Sequence, residues 1–128
     1  MAKGIWRLTV RSDFAAAHAL RNYDGKCENI HGHNFAVEAV VEGDKLSEDV
    51  EILLDFKVMK NKLKEVTELI DHKDLNCTPP FDKMNPSSEN LARFIYQELG
   101  KRIESYGVRV YSVTVSEKAA QSATYLEL

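Results

Sequence analysis

The sequence predicts an α+β domain in which a four-stranded antiparallel sheet carries two helices on one face, in the order ββααββ. Three observations predict it. Apolar and polar residues alternate near both ends of the chain, apolar residues step by three and four in two central segments, and polar loops separate these runs. At 128 residues the chain has room for one core, so a single domain over 1–128 is expected. The hydrophobic share of 44% is enough to build that core without disulfides.

Each element has its own signal. In residues 5–11, Trp6, Leu8 and Val10 alternate with Arg7, Thr9 and Arg11, the period of a half-buried strand. In 34–42, Phe35, Val37, Ala39 and Val41 oppose Glu38 and Glu42, and Gly43-Asp44 closes the run as a turn. The intervening segment, roughly 19–31, is too polar for the core. From Asp55, which is placed to cap, Phe56, Met59, Leu63, Val66 and Ile70 mark an amphipathic helix with lysines on its other face. Two prolines between Asp71 and Pro80 end it in a long loop. Pro86-Ser87-Ser88-Glu89 starts a second helix, with a serine cap and Glu89 at the positive end of the dipole. Leu91, Phe94, Ile95, Leu99 and Ile103 form its buried face, and Gly100 weakens its end. Residues 108–115 and 123–128 are β-rich, and a change of phase between Val110 and Tyr111 indicates a bulge or burial on both faces.

Charge removes some functions. Seventeen Lys+Arg against twenty Asp+Glu give a net charge of -3, without the broad basic footprint of a nucleic-acid binder. No apolar run approaches the roughly 20 residues of a membrane span, and the first residues hold no signal-peptide core. A cytoplasmic protein with no nucleic-acid or membrane partner is expected.

The four histidines gather in two places: His18, His31 and His33 around the first loop, and His72 after the first helix. His31-Gly32-His33 puts two imidazoles on one face of an extended segment, roughly 7 Å apart at their Cα atoms, within reach of one metal ion. His18 supplies a third ligand if the end of the first strand folds over the loop. Three imidazoles with an open fourth position are a catalytic zinc set. Cys27, four residues before His31, leaves a fork: as a ligand it closes a structural site, and facing the open position it is a base or nucleophile. Asp71 beside His72 either fixes that imidazole's tautomer or caps a turn. Glu117 is either a solvated strand-end charge or a carboxylate for a ligand with two adjacent N–H donors. Cys77, before Thr78-Pro79-Pro80, reads as a loop thiol.

Together these segments resemble the 6-pyruvoyl-tetrahydropterin synthase and 6-carboxytetrahydropterin synthase superfamily over essentially the whole chain. The matching segments are Phe14-Ala15-Ala16-Ala17-His18, Cys27-x-x-x-His31-Gly32-His33, Leu54-Asp55-Phe56, Asp71-His72-Lys73-Asp74-Leu75-Asn76, Asn85-Pro86-Ser87-Ser88-Glu89-Asn90 and Val115-Ser116-Glu117. The resemblance implies a tunnelling fold and homohexamers with active sites between subunits. It also implies 7,8-dihydroneopterin triphosphate as substrate. It implies Zn2+ on His18, His31 and His33, a proton relay of Cys27, Asp71 and His72, and a pterin anchored by Glu117 beside Ser87, Ser88 and Glu89. The Cys-x3-His-Gly-His spacing is similar to the bacterial 6-carboxytetrahydropterin synthases of queuosine biosynthesis. Glu28 next to Cys27 resembles a branch that also makes 6-hydroxymethyl-7,8-dihydropterin, a folate precursor; equally, it is a solvated loop charge. A 6-pyruvoyl-forming enzyme and a non-catalytic pterin-binding module are the alternatives. The chain departs from the family twice: Ala19-Leu20-Arg21 stands where Arg-Leu directly follows the histidine, so Arg21 is not assigned to phosphate, and Lys118 stands where a threonine is common.

Overall fold

A computed structural model describes residues 2–25 and 28–128. Strands β1 (Trp6–His18) and β2 (His31–Gly43) form a long antiparallel pair, followed by helix α1 (Phe56–Glu68), a two-residue strand β3 (Lys73–Asp74), helix α2 (Ser88–Ile103) and strands β4 (Arg109–Lys118) and β5 (Gln121–Tyr125). The sheet order is β3-β1-β2-β4-β5. The expected four strands are therefore five. The extra one is β3, parallel to β1 at Ala16 and Ala17, and two residues are too few to show a period in sequence. Both helices pack on the same face of the sheet.

The helices begin where their caps put them. The Asp55 carboxylate accepts from the Lys57 N–H at 2.8 Å, and the Ser87 hydroxyl accepts from the Asn90 N–H at 3.1 Å, each satisfying a first-turn donor. Helix α1 buries Met59, Leu63 and Val66, and α2 buries Leu91, Ile95, Leu99 and Ile103, against Val10, Phe14, Phe35, Val37, Ala39, Val113 and Val115 of the sheet. Each such aliphatic side chain contributes about 1.5–3 kcal/mol of transfer free energy. Helix α2 continues through Gly100, and the chain turns at Gly107, whose φ of +73° favours a residue without a Cβ.

The opposite face of the sheet carries cross-strand charge. Arg7 and Arg109 reach the two oxygens of Glu42 at 3.1 and 2.9 Å, Arg11 reaches Glu38 at 3.0 Å, and the Arg7 guanidinium lies 3.6 Å above the Tyr111 ring. The phase change expected at Tyr111 is a β-bulge. Val41 pairs with Val110 and Val40 with Ser112, leaving Tyr111 unpaired. Beyond it, Val113 and Val115 face the core.

Candidate active site

β1 and β2 are longer than their apolar alternation indicates. They run on to His18 and from His31, and the two histidines are partners in the ladder; His33 is opposite Ala16. Because side chains alternate along a strand, His18, His31 and His33 share the helix-covered face with Phe14 and Phe35. His18 thus joins the other two within a continuous strand, with no folding of its end over the loop. Ring centroids are 4.6 Å apart for His18–His31, 5.3 Å for His18–His33 and 4.7 Å for His31–His33. The Phe35 ring lies beneath His18 and His33, at 5.2 and 5.6 Å, and stacks on Phe14 at 4.8 Å.

Two backbone carbonyls set the proton positions. Nδ1 of His18 is 2.7 Å from the Pro86 carbonyl oxygen, and Nδ1 of His31 is 2.7 Å from that of Asn29. A carbonyl only accepts, so each Nδ1 carries a proton, and in the neutral form of the ring Nε2 is the nitrogen with the lone pair. Burial lowers the pKa of His18 from its ordinary value; the Pro86 carbonyl and Glu117 favour the charged ring but are outweighed. Its Nε2 is buried with no hydrogen-bond partner, and a buried polar atom without a partner calls for a ligand. The candidate donor atoms of the three rings lie within 4.8 Å of one another. Three imidazoles, two of them oriented through Nδ1, with an orphaned buried Nε2, fit a divalent transition metal held by three nitrogens.

Glu117 closes the other side. Its Oε1 is 3.4 Å from His18 Nε2 and its Oε2 3.5 Å from His33 Nε2; the first approach lacks hydrogen-bond geometry. Glu117 also lines a cavity of about 330 Å³ with Ser87, Ser88 and Glu89, so the four residues expected to flank one ligand do share one space. Tyr23, Gln121 and Ser122 line it too, and the sequence reading did not single them out.

Asp71 and His72 lie at the β1 edge. Although adjacent, they do meet, because His72 has a φ of +57° that turns its ring back: His72 Nδ1 is 3.0 Å from Asp71 Oδ1. That oxygen also accepts from the Ala15 N–H at 2.9 Å, and this bond first, then His72, lowers the Asp71 pKa from its ordinary value. The His72 side chain is 81% exposed and lines a separate cleft of about 530 Å³ with Gly32, His33 and Asn34. Within one chain, His33 is the residue common to both regions, since it lines this cleft and touches Glu117. Cys27 lies outside the described residues. Glu28 is exposed, its N–H donating to the Gly25 carbonyl. Cys77 is an exposed thiol 3.6 Å from an Asp74 carboxylate oxygen, which raises its pKa.

Three residues of this region have a role that was not anticipated for them. Asn76, Asn85 and Arg21 tie the chain after His18 to the loop that presents Pro86. Their type was the available signal: asparagine carries a donor and an acceptor on one short side chain, enough to engage a backbone N–H and C=O together.

The family model described as 6-pyruvoyl tetrahydropterin synthase matches residues 7–127. A relative from Aquifex aeolicus, named 6-carboxy-5,6,7,8-tetrahydropterin synthase, is 31% identical over 96% of this chain and 90% of its own length. One from Pyrococcus furiosus, named dihydroneopterin monophosphate aldolase, is 34% identical over 76% of this chain and 77% of its own. The solved structure of Caenorhabditis elegans 6-pyruvoyl tetrahydropterin synthase superposes with a TM-score of 0.86 at 24% identity, covering 100% of both chains.

Proposed function

The chain belongs to the 6-pyruvoyl tetrahydropterin synthase family, and from that premise we propose that it is a zinc-dependent lyase acting on 7,8-dihydroneopterin triphosphate. Its product is 6-carboxy-5,6,7,8-tetrahydropterin, with acetaldehyde and triphosphate released. The observation that carries this reading is the Glu117 carboxylate, which lines a cavity while facing two of three clustered histidines. A substrate with an N–H-rich ring and a hydroxylated side chain is what such a pairing of carboxylate and metal ligands accommodates.

His18, His31 and His33 hold the ion, which when bound supplies Lewis-acid polarisation of side-chain hydroxyls. Glu117 accepts two adjacent N–H groups of the aminopyrimidine edge, and Ser87, Ser88 and Glu89 wall the same space. Cys27, as thiolate, moves protons between ring and side chain. Asp71 holds the Nδ1–H of His72, leaving Nε2 of that ring as its partner base. Within one chain, Asp71–His72 and Glu117 serve different cavities, which supports active sites completed between subunits of a homohexamer. Among the described residues no helix is long and apolar enough to cross a membrane, and we place the enzyme, as one domain over 1–128, in the cytoplasm of a cell making 7-deazapurines such as queuosine.

A second product has its own support. Glu28 is exposed next to the relay cysteine, and the Pyrococcus furiosus relative is named as an aldolase on a dihydroneopterin phosphate. Glu28 as a second base takes the proton of the hydroxyl on the second side-chain carbon. The bond between the first and second carbons breaks into the ring imine, the first carbon is reprotonated to give 6-hydroxymethyl-7,8-dihydropterin, and the outer two carbons leave as the aldehyde that carries the triphosphate. Chromatography of the pterins formed from 7,8-dihydroneopterin triphosphate tests both. Wild type is expected to give the carboxy product with acetaldehyde, Cys27→Ala to lose it by about 10²-fold or more, and Glu28→Ala to lose only the hydroxymethyl product. Accumulation of the 6-pyruvoyl compound without acetaldehyde overturns the carboxy assignment.

A further inference from the structure

His18 lies at the end of β1, and the five residues after it hold most of their described polar bonds with one loop, 76–86. Asn76 accepts from the Ala19 N–H at 2.8 Å and donates to the Ala19 carbonyl at 3.0 Å. Asn85 does the same to Arg21, accepting from its N–H at 2.9 Å and donating to its carbonyl at 3.0 Å. Each asparagine thus takes the place of a strand neighbour, satisfying both backbone groups of one residue. The Arg21 side chain returns across the same gap: its guanidinium donates to the carbonyls of Asn76 at 3.1 Å, Phe81 at 2.8 Å and Met84 at 3.1 Å. Between these ties runs the 2.7 Å bond from His18 Nδ1 to the Pro86 carbonyl. The chain on either side of that carbonyl is fixed as well, since Asn90 Nδ2 donates to the Asn85 carbonyl at 2.8 Å and Ser87 caps α2.

We infer that Arg21, Asn76 and Asn85 are positioning residues for the candidate metal centre, acting through the Pro86 carbonyl on the tautomer and ring orientation of His18. The inference rests on the metal reading above and extends it to residues that touch neither metal nor substrate. The geometry is directional. His18 has only two ring nitrogens; with Nδ1 committed to a carbonyl the loop cannot move away from, Nε2 is the one presented to the centre. Were the loop free to shift, the buried Nδ1–H would lose its partner and the ring could rotate or change tautomer. Three of the five Arg21 N–H donors are engaged on carbonyls through both terminal nitrogens, in a fork that a lysine cannot reproduce.

The test uses the full-length protein and two readouts. Zinc affinity is measured by competition with a chromogenic chelator for wild type, Arg21→Met, Asn85→Ala and Ile95→Val, the last removing one core methylene from α2 away from the loop. In parallel, long-range 15N–1H spectra of histidine-labelled, metal-free protein report the His18 tautomer. We expect Arg21→Met and Asn85→Ala to lose zinc affinity by about 10–100-fold, as outer partners of metal-bound histidines typically do, and to show a mixed His18 tautomer. Ile95→Val should keep both at wild-type values. Should either variant fail to fold, Arg21→Lys, which keeps the charge without the fork, carries the same expectation. Wild-type affinity and a single tautomer in the folded loop variants overturn the inference, as does an equal loss in Ile95→Val. If wild type itself binds no zinc, the metal reading falls, and the tautomer alone decides whether the loop positions His18.

Discussion

Phe35 ties the core to the site, and shortening it should cost both at once. Its ring is fully buried, stacked on Phe14 at 4.8 Å with planes 10° apart, and forms the floor under His18 and His33. Truncating a buried phenylalanine to alanine costs about 3–5 kcal/mol, a large part of the 5–15 kcal/mol that holds a domain together. Phe35→Leu is the informative variant. It keeps an apolar side chain but forfeits the ring stacking, worth about 0.5–1.5 kcal/mol, and leaves an incompletely filled space that adds a similar amount. We expect a loss of about 2 kcal/mol in urea denaturation at fixed protein concentration, with an unchanged m-value. Zinc affinity, read by chelator competition, should fall by about tenfold, because two ligand rings lose their common support. A loss below about 0.5 kcal/mol together with wild-type zinc affinity would refute the idea that one ring holds both.

Three further outcomes are expected. His31→Ala should abolish stoichiometric zinc, measured by elemental analysis of the purified protein, because two imidazoles remain from a three-ligand set. Asp71 has a folded pKa lowered by the Ala15 N–H and by His72, so its contribution to stability is complete above the unfolded value of about 3.9 and is lost as pH falls through the lower folded value. Acid unfolding of Asp71→Asn should therefore be less steep below about pH 4 than that of wild type. Cys77 is exposed but carries a pKa raised by Asp74, so alkylation by iodoacetamide at pH 8, followed by mass spectrometry, should speed up in Asp74→Asn.

Much of this was legible in the sequence because it depends on period and local chemistry. Apolar alternation found the two long strands, the three-four step found α1 and α2, and Asp55 and Ser87 cap as their side chains suggest. The histidines, Glu117 and the Ser87-Ser88-Glu89 segment were visible as residue types. What escaped is what the third dimension supplies. Strand ends at 12–18 and 31–33 lie past the apolar pattern because alanines and histidines replace it. β3 exists only through its ladder with β1. The meeting of Asp71 with His72 depends on a single left-handed residue, and Pro86 acts through a carbonyl, which every residue has.

The unpaired Tyr111 sets which face of the sheet each later residue of β4 takes. Val110 faces the core, and in an uninterrupted strand even-numbered residues would continue to do so, turning Glu117 toward the charged face with Arg7 and Arg11. The one additional residue reverses that count, so Val113, Val115 and then Glu117 come round to the histidines. Length between 110 and 117 is thereby under a parity rule. Removing or adding one residue sends the carboxylate to the wrong side of the sheet, whereas a change of two keeps its side but slides it by about 6.6 Å along the strand. The segment can vary in composition far more freely than in number, and a single-codon deletion there should be more damaging than most substitutions.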